Sequence, residues 1–148
     1  ETIRQGGMNF VIGARNLWED WRRAVNGAPP AGAEAFQVGR NVAVTPGKVV
    51  FQNRLFQLIQ YAPTTDTVQA VPLLIFPPWI NKYYILDLTA EKSFIRWAVA
   101  QGLTVFVVSW KNADESLADA SIDTYVEEGM FTAIDLVRQI CDVPSVHT

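Results

Sequence analysis

Cys141 and His147 are the only cysteine and the only histidine among these 148 residues. A nucleophilic thiolate needs a base beside it and a sharp turn that exposes it. Cys141 follows a long amphipathic stretch, precedes Asp142, and has no flanking glycine to make such a turn. It therefore reads as a structural thiol. His147 lies within a segment that reads as a strand rather than on a loop, so a catalytic base role is not assigned to it. A single cysteine also excludes an internal disulfide framework and a multi-cysteine zinc site, and it fits a reducing compartment. No metal site is expected.

The chemistry is sought instead in an abnormal connection. A continuous apolar run, Leu73-Leu74-Ile75-Phe76, ends at Pro77-Pro78 as a buried strand would. About fourteen residues, Pro77 to Ala90, separate it from the next helical pattern. Connections of this kind usually take about 2 to 6 residues. Loops at the carboxyl ends of strands in open α/β sheets carry ligands. The segment Pro-Pro-Trp-Ile-Asn-Lys-Tyr-Tyr-Ile-Leu-Asp-Leu, Pro77 to Leu88, is aromatic and apolar with a few polar groups. That is the composition of a site wall. The alternative is a loop that packs under its neighbours.

The surrounding pattern supplies the elements that would position this loop. Asn16 to Val25 reads as a short helix with Asn16 as N-cap and Leu17, Trp18, Trp21 and Val25 on one face. It is expected to dock on a core, the alternative being an arm for an apolar partner. Asn26 to Pro30 stops it. From Val42 onward, β-formers (Val42–Val44, Val49–Phe51, Leu55–Tyr61) and turns at Thr45–Gly47 and Asn53–Arg54 predict an antiparallel meander. Ala62 to Val71 reads as a loop. After the Leu73–Phe76 strand, a helix is predicted over Glu91–Gln101, with Thr89 as cap and Gly102 as stop. Its apolar face is Phe94, Ile95, Ala98 and Val99. Thr104 to Ser109 is a second buried strand. The longest helix is predicted over Ser121–Ile140, its face being Ile122, Tyr125, Val126, Gly129, Met130, Ala133, Ile134 and Val137. Gly129 falls where a helix that approaches a sheet closely needs no side chain. Val146-His147-Thr148 reads as the first half of a third buried strand.

Strand–helix–strand–helix–strand after an antiparallel start predicts an α/β sheet with parallel crossovers. So few parallel strands leave apolar helix faces without a partner. Residues 39–148 are therefore read as the front half of a larger α/β domain, and residues 1–38 as a helical and linker segment. The start at Glu1 fits a chain cut from something longer. Twelve basic residues against fifteen acidic, a net charge of −3, give no basic excess for nucleic acid. Apolar residues make up 49% of the chain, which excludes disorder. No apolar run is long enough to span a membrane, and Glu1–Phe10 does not read as a signal peptide.

This order matches the α/β-hydrolase fold, where the loop after the first parallel strand donates one backbone N–H to an oxyanion hole. Mapped here, that loop is Pro77–Asp87, the nucleophile strand begins at Val146, and its elbow falls just beyond Thr148. The residues also resemble a family. Pro77–Leu88, Thr104–Asp114 (Thr-Val-Phe-Val-Val-Ser-Trp-Lys-Asn-Ala-Asp), Gly39–Gly47 and Asp123, Tyr125, Val126 and Glu127 are similar to segments of the poly(3-hydroxyalkanoate) synthases, bacterial polyester polymerases. The resemblance runs from about Ala14 to the end.

It implies an α/β-hydrolase-fold catalytic domain with a Cys-His-Asp triad and no cofactor. Such enzymes transfer 3-hydroxyacyl groups from coenzyme A thioesters to a growing polyester, in the cytoplasm at the granule surface, commonly as homodimers. The family's Gly-x-Cys-x-Gly elbow is absent here. The nucleophile Cys and its Asp and His partners are therefore expected after Thr148, and the segment alone is expected to be inactive. The rest of the catalytic domain is the implied partner. The resemblance puts the oxyanion and substrate loop at Trp79, Ile80, Asn81, Tyr83 and Tyr84, with the N–H of Ile80 preferred over that of Trp79. Trp79 stands where many relatives carry a small residue or cysteine, and it is read as tuning the pocket. Lys82 either faces solvent or meets a coenzyme A phosphate. Asp87 is read as an acceptor that fixes the loop. Trp110, Asn112 and Asp114 are read as shaping the same edge, or as turn residues. Two other readings stay open: a serine esterase or acyltransferase of the same fold, and a non-catalytic module that coats a hydrophobic particle.

Overall fold

A computed structural model describes Thr2, Arg4 and residues 6–148. They form two compact units that meet in sequence between Gln37 and Val38.

The first unit carries α1, Met8–Val25. It starts eight residues before the expected cap. Gly7, at φ 84°, precedes the first turn, and Asn16 lies in the helix interior. Met8, Phe10, Val11 and Ile12 continue the helical pattern upstream, and Gly13 does not break it. Arg22 and Arg23 in the last turn favour the negative end of the helix dipole. Within this unit no residue of α1 is buried, the face of Leu17, Trp18, Trp21 and Val25 included.

The second unit is built on a four-stranded mixed sheet in the order β1-β2-β4-β3. Strand β1 is Gly47–Gln52, β2 is Phe56–Tyr61, β3 is Leu73–Ile75 and β4 is Val105–Trp110. β1 pairs antiparallel with β2, with a bulge between Val49 and Phe51. The turn forms at the expected place because the Asn53 side chain accepts from the N–H groups of Leu55 (2.8 Å) and Phe56 (3.0 Å). β2 pairs antiparallel with β4, and β4 parallel with β3. Beyond β3, His147 forms a parallel bridge to Leu73. Its N–H donates to Pro72 O at 2.9 Å, and its carbonyl accepts from Leu74 N at 2.8 Å. The third of the expected parallel strands is thus present as this bridge. Val42–Val44 is not a strand: Val42 bridges only to Val38, and Ala43 turns into the left-handed region at φ 55°.

Side chains of β4 alternate between two cores. Phe106, Val108 and Trp110 join Leu55, Phe56, Leu58 and Leu74 in one cluster, closed by Ala133 and Val137. Val105 and Val107 join Tyr61, Ile95, Ala98 and Val99 on the other face. Both faces of β4 are covered, so that strand reads as a nearly continuous apolar run.

The helix over the second cluster is α2, Phe94–Ala100, shorter than expected. Its N-cap is Ser93, whose hydroxyl accepts from Arg96 N at 2.9 Å, rather than Thr89. Thr89 instead closes a turn on Lys92 N. Ser93 is held extended by a bridge to Asp87, so helical geometry starts only after it. Phe94 is half exposed, against expectation, while Ile95, Ala98 and Val99 are buried.

The longest helix is not uniform. It runs as α3 (Ile122–Thr124), a π-helical segment (Tyr125–Phe131) and α4 (Thr132–Cys141). Ser121 and Thr124 cap it reciprocally. The wider π turn shifts the phase of what precedes it. Ile122, expected on the buried face, is 68% exposed, while Gly129, Ala133 and Val137 are buried. Gly129 does allow a close approach. A Cβ there would stand 3.0 Å from the Trp110 ring.

Candidate functional site

Pro77 and Pro78 lack N–H groups and cannot extend the ladder, so the chain leaves the sheet directly after β3. The Asn81 N–H folds back onto Pro78 O at 2.9 Å. This turn puts Trp79 and Ile80 at its apex. Among the described residues, no acceptor meets the backbone N–H of either. Ile80 is 90% exposed and Trp79 45%. A large apolar side chain held in water at a turn apex is a feature that folding alone does not favour.

Both ends of the loop are anchored. At its start, the Trp110 indole N–H donates to Pro77 O at 2.7 Å in a buried bond. The Trp110 ring also packs edgewise on Trp79 (centroids 6.4 Å) and Tyr125 (5.6 Å), and Trp79 lies 5.1 Å from Tyr125. Tyr125 is supplied by the π-helical segment. At the loop's end stands Asp87, only 1% exposed. Its carboxylate accepts from the Thr45 hydroxyl at 2.7 Å and the Thr45 N–H at 3.1 Å. Its backbone carbonyl accepts from Ala43 N at 2.8 Å. Satisfied in this way, a buried carboxylate is a structural fixture rather than an acid awaiting a substrate. Asp87 is the loop-fixing acceptor that its type and place suggest.

Between the anchors, Tyr83–Leu86 forms a 3₁₀ turn, and the Tyr83 and Tyr84 rings meet edgewise at 5.6 Å. Burial, reinforced by the charge of Asp87, raises the phenols of Tyr61 and Tyr83 above their ordinary values. Both stay neutral near neutral pH. Lys82 donates to the Asn112 side chain, tying the loop to the segment after β4. Asp114 accepts from Ser116 N and pairs with Lys111, which makes it a turn residue. The hydroxyl of Ser116 and then Lys111 hold its carboxyl below the usual range.

The loop thus presents two backbone donors on an anchored turn. Cys141 ends α4, and burial pushes its thiol above its ordinary pKa, the direction opposite to that of a nucleophile. His147 serves β3 through its backbone. Among the described residues, no group of three His, Cys, Asp or Glu side chains could hold a metal, and no helix is long and apolar enough to cross a membrane.

Residues 1–98 match the family described as poly-beta-hydroxybutyrate polymerase (PhaC) N-terminus. The chain belongs to the PhaC N-terminal family. It is 50% identical over 139 residues to a poly(3-hydroxyalkanoate) polymerase of Methylorubrum extorquens, covering 93% of this chain and 23% of that protein. A poly(3-hydroxyalkanoate) polymerase subunit PhaC of Cupriavidus necator is 51% identical over 138 residues, with the same coverage on both sides. One from Haloferax mediterranei is 30% identical over 134 residues, covering 90% of this chain and 27% of its own length. The chain thus spans about a quarter of the length of the curated relatives it matches. The resemblance carried by Pro77–Leu88 and Thr104–Asp114 is upheld.

Three features of this chain carry little or no local sequence signal. Thr45 as the partner of Asp87 carries no local signal. The Trp110–Pro77 bond is hinted at only by an indole closing a buried strand. The third is Arg54, which joins Glu128 (2.9 and 3.0 Å) and Asp119 (3.1 Å) and ties the β1–β2 turn to the π-helical segment.

Proposed function

We propose that this segment is the front part of an α/β-hydrolase-fold catalytic domain in a polyhydroxyalkanoate synthase. It supplies the loop that stabilises the oxyanion during transfer of a 3-hydroxyacyl group from a coenzyme A thioester. The observation that carries the reading is the register of His147. It pairs in parallel with Leu73, beside β3. A strand continuing in that register passes Ile75 about two residues later and reaches the level of Pro77 about two after that. A nucleophile at its carboxyl end would stand beside the Trp79–Ile80 turn.

Acyl transfer develops negative charge on the carbonyl oxygen, and a pre-placed N–H stabilises it by about 3 kcal/mol. The unpartnered N–H of Ile80 is the preferred donor, and that of Trp79 is the alternative. Asn81, Tyr83 and Tyr84 line the loop. Lys82, exposed and held by Asn112, is the cation of this loop that a coenzyme A phosphate would meet. The triad of Cys, Asp and His belongs beyond Thr148. The exposed apolar residues of α1 support an apolar partner, and the reading carries with it a homodimeric, granule-bound, cytoplasmic enzyme.

The test is made in the full-length protein that carries this segment. The residues after Thr148 should contain Gly-x-Cys-x-Gly within about ten positions, and Ile80→Pro should abolish coenzyme A release from 3-hydroxyacyl-CoA. A serine in that elbow would assign an esterase instead. The absence of any elbow, or full turnover by Ile80→Pro, refutes the proposal.

A further inference from the structure

The Trp79–Ile80 turn is a short irregular segment, and among the described residues its two N–H groups meet no acceptor. Left to itself, such a turn samples many orientations, and its donors would lose their aim. The molecule holds it from both sides. Trp110 fixes the carbonyl of Pro77, two residues before Trp79, through a buried N–H···O bond of 2.7 Å. The same indole backs the Trp79 ring, and Tyr125 closes the third side of that aromatic triangle. Gly129 leaves room for the indole, since a side chain there would meet it at 3.0 Å. At the far end, Asp87 takes two bonds from Thr45 and one from Ala43. Ala43 is a non-glycine residue at φ 55°, a left-handed conformation that side chains disfavour. The Asp87–Ala43 bond retains that strain.

We propose that Trp110 and Asp87 are positioning residues for the oxyanion turn, acting through the carbonyl of Pro77 and through Thr45 rather than by touching substrate. This deepens the proposed function and rests on it. The two anchors have different chemistry and lie on opposite ends of the loop, so each can be loosened without disturbing the other. Displacing a reacting geometry by about 1 Å lowers turnover by about 100-fold. A positioning role therefore shows in kcat, whereas a purely structural role shows in the amount of folded protein.

The experiment uses the full-length protein with Trp110→Phe, with Trp110 replaced by 3-benzothienylalanine (the same shape without the N–H), and with Asp87→Asn. Ile80→Pro is a separate arm. Coenzyme A release gives kcat and KM, and thermal unfolding gives the folded fraction. Trp110→Phe and the benzothienyl variant should each lower kcat about 10- to 100-fold with KM changed less than about threefold. Asp87→Asn should do the same at temperatures where it remains folded. If both Trp110 variants keep wild-type kcat while Ile80→Pro is inactive, the positioning proposal is overturned and the oxyanion reading stands. A kcat that falls only with the folded fraction also overturns it. If Ile80→Pro turns over normally, both fall together.

Discussion

Trp110 and Pro77 lie 33 positions apart, yet the indole of one holds the carbonyl of the other at 2.7 Å inside the protein. The bond joins the end of the central strand to the start of the loop that leaves its neighbour. It satisfies a buried N–H that would otherwise be stranded next to an apolar cluster. It also fixes where the chain turns after β3, which the two prolines alone do not. The oxyanion proposal depends on that geometry, because a backbone donor is useful only where it is aimed.

The other anchor leads to a stability prediction. Thr45→Val keeps the shape of the side chain and removes the hydroxyl that donates to Asp87. A hydrogen bond to a charged group contributes about 1.5–3 kcal/mol. The variant should lose about 2 kcal/mol, read from the denaturant midpoint of the full-length protein. In an Asp87→Asn background the same change should have a smaller effect. Equal effects in both backgrounds would mean that the two residues are not coupled.

A pH prediction follows from Arg54. Its hydrogen bonds hold the carboxyls of Glu128 and Asp119 below their ordinary values of 4.5 and 3.8. A carboxyl whose pKa is lower when folded contributes stability above its unfolded pKa and loses it as pH falls through the folded one. The stability difference between wild type and Arg54→Met should therefore be constant near neutral pH and shrink below about pH 4.5. The pairs are exposed, so added salt should shrink it too. A difference that grows on acidification would contradict this role. Unfolding titrations of both proteins from pH 7 to 3 decide it.

These long-range ties explain what was legible in advance and what was not. Apolar runs and period-two alternation are local properties, so Leu73–Ile75, Val105–Ser109 and the β2 hairpin emerge from the residues directly. Gly102 and the Asn53 turn are equally local signals. Asp87 stood out as a charge among Ile85, Leu86 and Leu88, but its partner Thr45 lies 42 residues away, beyond any pattern. The π-helical segment was hidden because Tyr125, Gly129 and Ala133 fit an ordinary helical period well enough. Only the exposure of Ile122 betrays the extra residue in the turn. Gly7 and Ser93 stand at the helix starts in place of Asn16 and Thr89 because good capping residues are common, and neighbouring contacts choose among them.

The backbone N–H of Ile80 is the donor on which the proposed function rests. Replacing Ile80 by its α-hydroxy acid counterpart in the full-length protein exchanges that N–H for an ester oxygen and leaves the side chain in place. Single-turnover acylation by a 3-hydroxyacyl-CoA should then slow by about 100- to 1,000-fold, the usual effect of losing one oxyanion donor. An unchanged acylation rate would contradict the account.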